Sequence, residues 1–235
     1  MNKSKLPKNP EDLAPIVDYS FQDRGLLFRA FRHPSYVYES DDPRLSDNQR
    51  LEFLGDAVIN LAISHLLMES FPEMKEGELS KHRASLVSES GLYPIACELQ
   101  IGDYLLLGKG EERSQGRKKP SILTDALEAL MGAVYLDGGF SSSLRVIAKL
   151  FSPALNKIGL GKPFVDYKTD LQEYSQEALQ STPEYRLEKE IGPDHNKTFH
   201  VAVYLKGELM GRGKGKSKKE AERESAKEAL ACLKK

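Results

Sequence analysis

From Pro10 to Gly161 the apolar residues recur mostly at helical spacing, and strand-like alternation is almost absent. The pattern predicts helices over about 11–18, 24–32, 48–70, 76–98, 121–136 and 141–157. Phe71-Pro72 ends the third of these, because the residue before a proline is pushed out of the helical region. Lys75 to Leu79 then reopens a helix. Gly108 to Pro120 is polar and glycine-containing and reads as a loop, long enough to suggest a functional connection. Ile158 to Pro163 reads as a linker. Beyond it the pattern changes: a helix over Tyr167–Gln180, strands over Glu184–Glu190, Thr198–Lys206 and Leu209–Lys214, and a closing helix over Ser217–Lys234 with Ser217 as N-cap. The expected organisation is an all-α domain over 1–158, a linker over 159–164, and a small α+β (α-β-β-β-α) domain over 165–235 with its helices on one face of an antiparallel sheet.

Composition changes this picture little. Charged residues make up 29%, yet 34 Lys and Arg nearly cancel 35 Asp and Glu, so any basic footprint has to be local. The two cysteines, Cys97 and Cys232, lie far apart and outside any C-x-x-C spacing, which argues against a zinc site and a secreted disulfide scaffold. With no signal peptide and no run of 18 apolar residues, a cytoplasmic protein without a membrane partner is expected.

The helix pattern gives two acidic pairs a common character. Glu52 and Asp56 are four apart and share a helix face, with Gln49 and Asn60 near the same stripe and Leu51, Leu54, Val58 and Leu61 roughly opposite as the expected core face. Asp125 and Glu128 are three apart on a second apolar helix, beside the small residues Ser121, Ala129 and Gly132, with Leu123, Leu127, Leu130 and Val134 on its apolar side. One reading is solvated surface carboxylates. The other is a cation site, since like charges at these spacings repel and unpaired carboxylates on a largely buried helix are costly. Four oxygen donors without His or Cys suit Mg²⁺ or Mn²⁺.

Gly211 to Lys219 holds five basic residues and no acidic one. It is either a flexible solvated loop or a phosphate site at a helix mouth, with Lys216, Lys218 and Lys219 as contacts and glycines letting the backbone approach. His195, between the first two strands, is either a turn residue or a group reaching a minor groove. Thr169, Gln172, Glu173 and Gln176 lie near one face of the first helix of the small domain and suit hydrogen bonds to 2′-hydroxyls.

Arg50-Leu51-Glu52-Phe53-Leu54-Gly55-Asp56-Ala57 resembles the signature of bacterial ribonuclease III. Arg32-His33-Pro34-Ser35-Tyr36, Gly77-Glu78-Leu79-Ser80, Gly108-Lys109-Gly110-Glu111 and Ser121 to Leu130 follow the family's order. Asp166 to Thr169, Gly192 to His195 and Lys218 to Glu222 resemble its double-stranded RNA-binding domain, so the resemblance covers nearly the whole chain. It implies an all-helical endonuclease domain acting as a homodimer on double-stranded RNA. It implies that Glu52, Asp56, Asp125 and Glu128 bind Mg²⁺, with Asp56 and Glu128 catalytic, Glu76 and Glu111 as accessory acids, and Phe53 in the dimer contact. The implied products carry 5′-phosphate and 3′-hydroxyl ends, and ribosomal RNA precursors and some messenger RNAs are the implied substrates. Gln49 departs from the family's usual glutamate and is expected to stand outside the metal shell. A double-stranded RNA-binding regulator that does not cut is the alternative function, and a helical metalloprotein unrelated to RNA is a third, disfavoured by the basic module.

Overall fold

The structure, a computed structural model, describes residues 7–160, 167–192 and 197–233, with the side chains of Thr169 and Glu173 outside the description. The chain divides into two compact units, Met1–Phe164 and Val165–Lys235. Residues 161–164 of the expected linker lie outside the described residues, while Gly159 still belongs to a helix.

In the first unit, the expected 11–18 helix is a 3-10 turn, Pro10–Leu13, followed by the short helix α1, Ala14–Val17. Helix α2 is Arg24–Ala30, capped by Asp23, whose carboxylate accepts the Gly25 amide at 2.7 Å. A five-residue helix α3, Pro34–Tyr38, has no counterpart in the periodicity, being too short to show one. Helix α4 runs over Gln49–Ser70. The expected 76–98 helix is two, α5 (Glu76–Val87) and α6 (Glu89–Glu98). They part at Ser88, whose extended backbone ends one and whose Oγ, 3.2 Å from the Gly91 amide, caps the next. The expected 108–120 loop contains α7, Lys109–Arg113, and a 3-10 turn, Gly116–Lys118. Helix α8, Pro120–Gly159, joins the two helices expected over 121–136 and 141–157 across Gly139, whose φ of 72° is open to glycine at little steric cost.

The core lies between α4 and α8. Helix α4 buries Leu51, Val58, Ile59, Ala62, Ile63, Leu66 and Leu67, so its core face is turned away from the expected stripe: Leu54 is half-buried and Leu61 is 58% exposed. Leu123, Leu127, Leu130 and Val134 of α8 are all buried as expected. Among the described residues α4 is the one helix long and apolar enough to cross a membrane, but its buried residues face α8 and it carries Glu52 and Asp56, which fits a core helix.

The second unit follows the expected order: α9 (Tyr167–Leu179), β1 (Glu184–Ile191), β2 (Thr198–Leu205), β3 (Glu208–Gly215) and α10 (Lys218–Leu233). The antiparallel sheet has strand order β1-β2-β3, with Leu187 opposite Val201 and Val201 opposite Gly213. Leu171, Val203, Leu205, Ala226, Ala229 and Leu230 form its core between sheet and helices.

Candidate active site

Helices α4 and α8 cross where each has a glycine. A Cβ on Gly55 would overlap the Glu128 carbonyl and come within 3.0 Å of the Gly132 nitrogen; a Cβ on Gly132 would overlap the Leu51 carbonyl. Two bare backbones in contact bring the polar stripes of the helices together at one edge of the core. There Glu52, Asp125 and Glu128 each offer a carboxylate oxygen, and the three lie within 4.8 Å of one another. All three side chains are half-buried, and among the described residues none has a hydrogen bond or an ion pair.

The electrostatics follow from that crowding. The Glu128 carboxyl is pushed up to about 8, first by burial and then by the charges of Asp56, Asp125 and Glu52. Burial also raises Glu52, helped by Asp125 and Asp47, and raises Asp125, helped by Glu89. Desolvated carboxylates at this separation without a counter-charge are unfavourable, and a hard divalent cation among oxygen donors relieves both the repulsion and the desolvation. The donor set therefore fits a hard divalent metal ion.

Asp56 stands at the rim. It is exposed, its charge is the largest electrostatic influence on Glu128, and its Oδ1 accepts the Asn60 amide at 2.9 Å. Glu76 does not join the cluster; it is exposed on the first turn of α5 and accepts the Ser80 hydroxyl at 2.8 Å. Glu111 is held by Lys119 at 2.6 Å and by Ser114, and the Lys119 bond keeps its carboxyl below the usual range. Gln49 is exposed and takes no place among the three converging carboxylates. Phe53 points outward and is 82% exposed. Asp47 and Glu89 border the site without having been singled out in the sequence. Neither shares a helix stripe with the four acids, so only tertiary packing brings them near.

In the second unit Gln172 and Gln176 are exposed on α9, His195 lies outside the described residues, and nothing is described of the side chains of Thr169 and Glu173. Lys216, Lys218 and Lys219 are exposed at the start of α10, but Arg212 and Lys214 are not at the helix mouth: they belong to β3. The glycines between them have a different task from the expected approach to phosphate. A Cβ on Gly211, Gly213 or Gly215 would run into the α10 backbone, so alternate glycines let the strand lie flat against that helix. Ser217 caps α10 as expected: its Oγ accepts the Glu220 amide at 3.1 Å while Glu220 reaches back to the Lys216 amide at 2.6 Å. Lys218 reaches Glu190 at 3.3 Å and the Phe199 ring.

Comparison with known proteins bears on both units. Residues 23–155 match the family model described as Ribonuclease-III-like, and residues 167–233 match the double-stranded RNA binding motif. The chain is 50% identical to Ribonuclease 3 of Syntrophobacter fumaroxidans over 224 residues, covering 94% of this chain and 93% of the relative. It is 46% identical to Ribonuclease 3 of Bacillus velezensis, covering 100% of this chain and 95% of the relative. A solved nuclease domain of ribonuclease III from Campylobacter jejuni, described for structural flexibility in a region involved in dimer formation, is 41% identical with a TM-score of 0.57 and covers 62% of this chain and 97% of that one.

Proposed function

Because the chain belongs to the ribonuclease III family, we propose that it binds double-stranded RNA and hydrolyses its phosphodiester bonds at the α4–α8 carboxylates with Mg²⁺, for which Mn²⁺ is a substitute. The observation that carries the reading is the convergence of Glu52, Asp125 and Glu128 within 4.8 Å of one another on two helices in bare backbone contact. In this reading Glu52, Asp56, Asp125 and Glu128 hold the ion, and Asp56 and Glu128 act directly in catalysis. When bound, the ion supplies Lewis acidity to water and phosphate. Glu128, its carboxyl pushed up to about 8, would have to lose its proton to serve as a ligand, so loading the site would release a proton near neutral pH. Asp56 contributes negative charge from the rim. Glu76 is an accessory acid on α5, and Glu111, tied to Lys119, supports the segment leading into α8.

Duplex RNA is held by the second unit. Gln172 and Gln176, with Thr169 and Glu173 on the same helix, address 2′-hydroxyls, His195 addresses a minor groove, and Lys216, Lys218 and Lys219 address phosphates. The double-stranded RNA binding motif over 167–233 supports this. We further propose an endonuclease domain over 1–158, a linker over 159–164 and an RNA-binding domain over 165–235, in a cytoplasmic enzyme that processes ribosomal RNA precursors and some messenger RNAs to 5′-phosphate and 3′-hydroxyl ends. A homodimer is supported by an apolar stripe on the outer side of α4, where Phe53, Leu61 and Met68 are 82%, 58% and 66% exposed.

The test is cleavage of a long RNA duplex. Purified protein is expected to cut with Mg²⁺ and not with EDTA, and Glu128→Gln is expected to keep duplex binding while losing cleavage. Wild-type cutting by that variant would remove the site from the mechanism.

A further inference from the structure

We infer that Asn60 is a positioning residue for Asp56, and that it is the last member of a hydrogen-bonded chain that ties α5 to the site. The inference rests on the proposed metal site. One turn of α4 separates Asp56 from Asn60, and the Asn60 Nδ2 donates twice to the same residue: to the Asp56 carbonyl at 3.0 Å and to its Oδ1 at 2.9 Å. Both of those atoms accept only, so the Asn60 side chain must present its NH₂ group there, and its amide orientation is fixed by chemistry. An asparagine that merely back-bonds to the helix would satisfy the carbonyl alone. The second bond engages Oδ1 and leaves Oδ2 available, in a residue whose charge is the largest electrostatic influence on Glu128.

The chain continues behind Asn60. Its carbonyl accepts the Ser64 hydroxyl at 2.7 Å, and Ser64 Oγ in turn accepts Arg83 Nη1 of α5 at 3.1 Å. Helix α4 is thus braced by α5 at Ser64, two turns beyond the acid it presents. Asp56, the rim member of the site, is the acid with the least packing around it, since it is exposed while Glu52, Asp125 and Glu128 are half-buried. An exposed carboxylate samples several rotamers, and a directional donor removes that freedom before a ligand arrives.

The experiment is titration of Mn²⁺ into the full-length protein without RNA, followed by calorimetry and by loss of the free-ion paramagnetic signal. Wild type and Asn60→Ala are compared, with melting in EDTA as the control for folding. Asn60→Ala is expected to weaken Mn²⁺ binding roughly ten-fold, at the low end of losses seen when a group that orients a ligand is removed. Cleavage is expected to need a correspondingly higher Mg²⁺ concentration, with kcat recovering at saturation and the EDTA melting point unchanged. Ser64→Ala, which leaves Asn60 in place but removes its brace, is expected to shift Mn²⁺ affinity the same way by less. Equal Mn²⁺ affinity in wild type and Asn60→Ala would overturn the inference and leave the metal site standing. Failure of the wild type to bind Mn²⁺ would overturn the metal site itself and this inference with it.

Discussion

Glu128 is the residue where burial and charge act together most strongly. Its carboxyl is pushed up to about 8 in the folded protein, against an ordinary value of 4.5. Between those values the folded chain keeps a proton that the unfolded chain has lost. The contribution of this group to stability is therefore complete below about pH 4.5 and falls as pH rises towards 8. The side chain is only half-buried, so screening reduces the effect from the full shift to something on the order of 2 kcal/mol. In EDTA the melting temperature of the wild type is expected to drop between about pH 5 and pH 8 more than that of Glu128→Gln, with the variant the more stable at the upper end. Parallel curves would mean that the carboxyl titrates normally. Helix periodicity exposes Glu52 with Asp56 and Asp125 with Glu128, because spacings of three and four residues share a face. It says nothing of Asp47 and Glu89, which reach the site through the packing of separate elements.

At the scale of elements the site depends on how closely α4 and α8 approach. Gly55→Ala would drive a methyl group into the Glu128 backbone, so the helices have to part. Such overpacking costs about 1–3 kcal/mol. The same separation pulls Glu52 from Asp125 and Glu128, so Mn²⁺ affinity is expected to fall together with stability. Gly139→Ala is the contrast. It strains a φ of 72° at a position with open space around it and is expected to cost about 1–3 kcal/mol with Mn²⁺ affinity unchanged. Urea unfolding and Mn²⁺ titration of both variants separate the two cases; equal loss of Mn²⁺ affinity would mean that the crossing does not set the site. Element type is legible wherever an apolar period runs for several turns, as in α4 and α8. It is not legible in α3 and α7, each five residues long, nor at Ser88, where one extended residue between two helices leaves the apolar spacing undisturbed. Gly211, Gly213 and Gly215 carry a legible period of two, yet their meaning needed α10, since only the partner helix shows what a side chain would strike.

For the whole molecule, a formal net charge of -1 leaves no general attraction for a polyanion, so affinity has to come from a few local contacts. The basic run offers fewer of these at the helix mouth than its sequence suggests, because Arg212 and Lys214 lie in β3 and Arg212 is paired with Glu188 at 3.1 Å. Lys218 also begins with a partner, Glu190, which a phosphate contact would have to displace. Each phosphate contact given up lowers the dependence of log affinity on log salt by roughly 0.9. Lys218→Ala combined with Lys219→Ala is therefore expected to weaken duplex binding by full-length protein and to lower that slope by between about 1 and 2. The lower figure is expected if releasing Glu190 offsets much of the Lys218 contact. Both lysines belong to the second unit, which folds around a core separate from that of the first, so Mn²⁺ affinity of the double variant is expected to match the wild type. Duplex binding measured between low and moderate salt decides the point: an unchanged slope would return Lys218 and Lys219 to the solvated surface and shift phosphate recognition to other residues of the second unit.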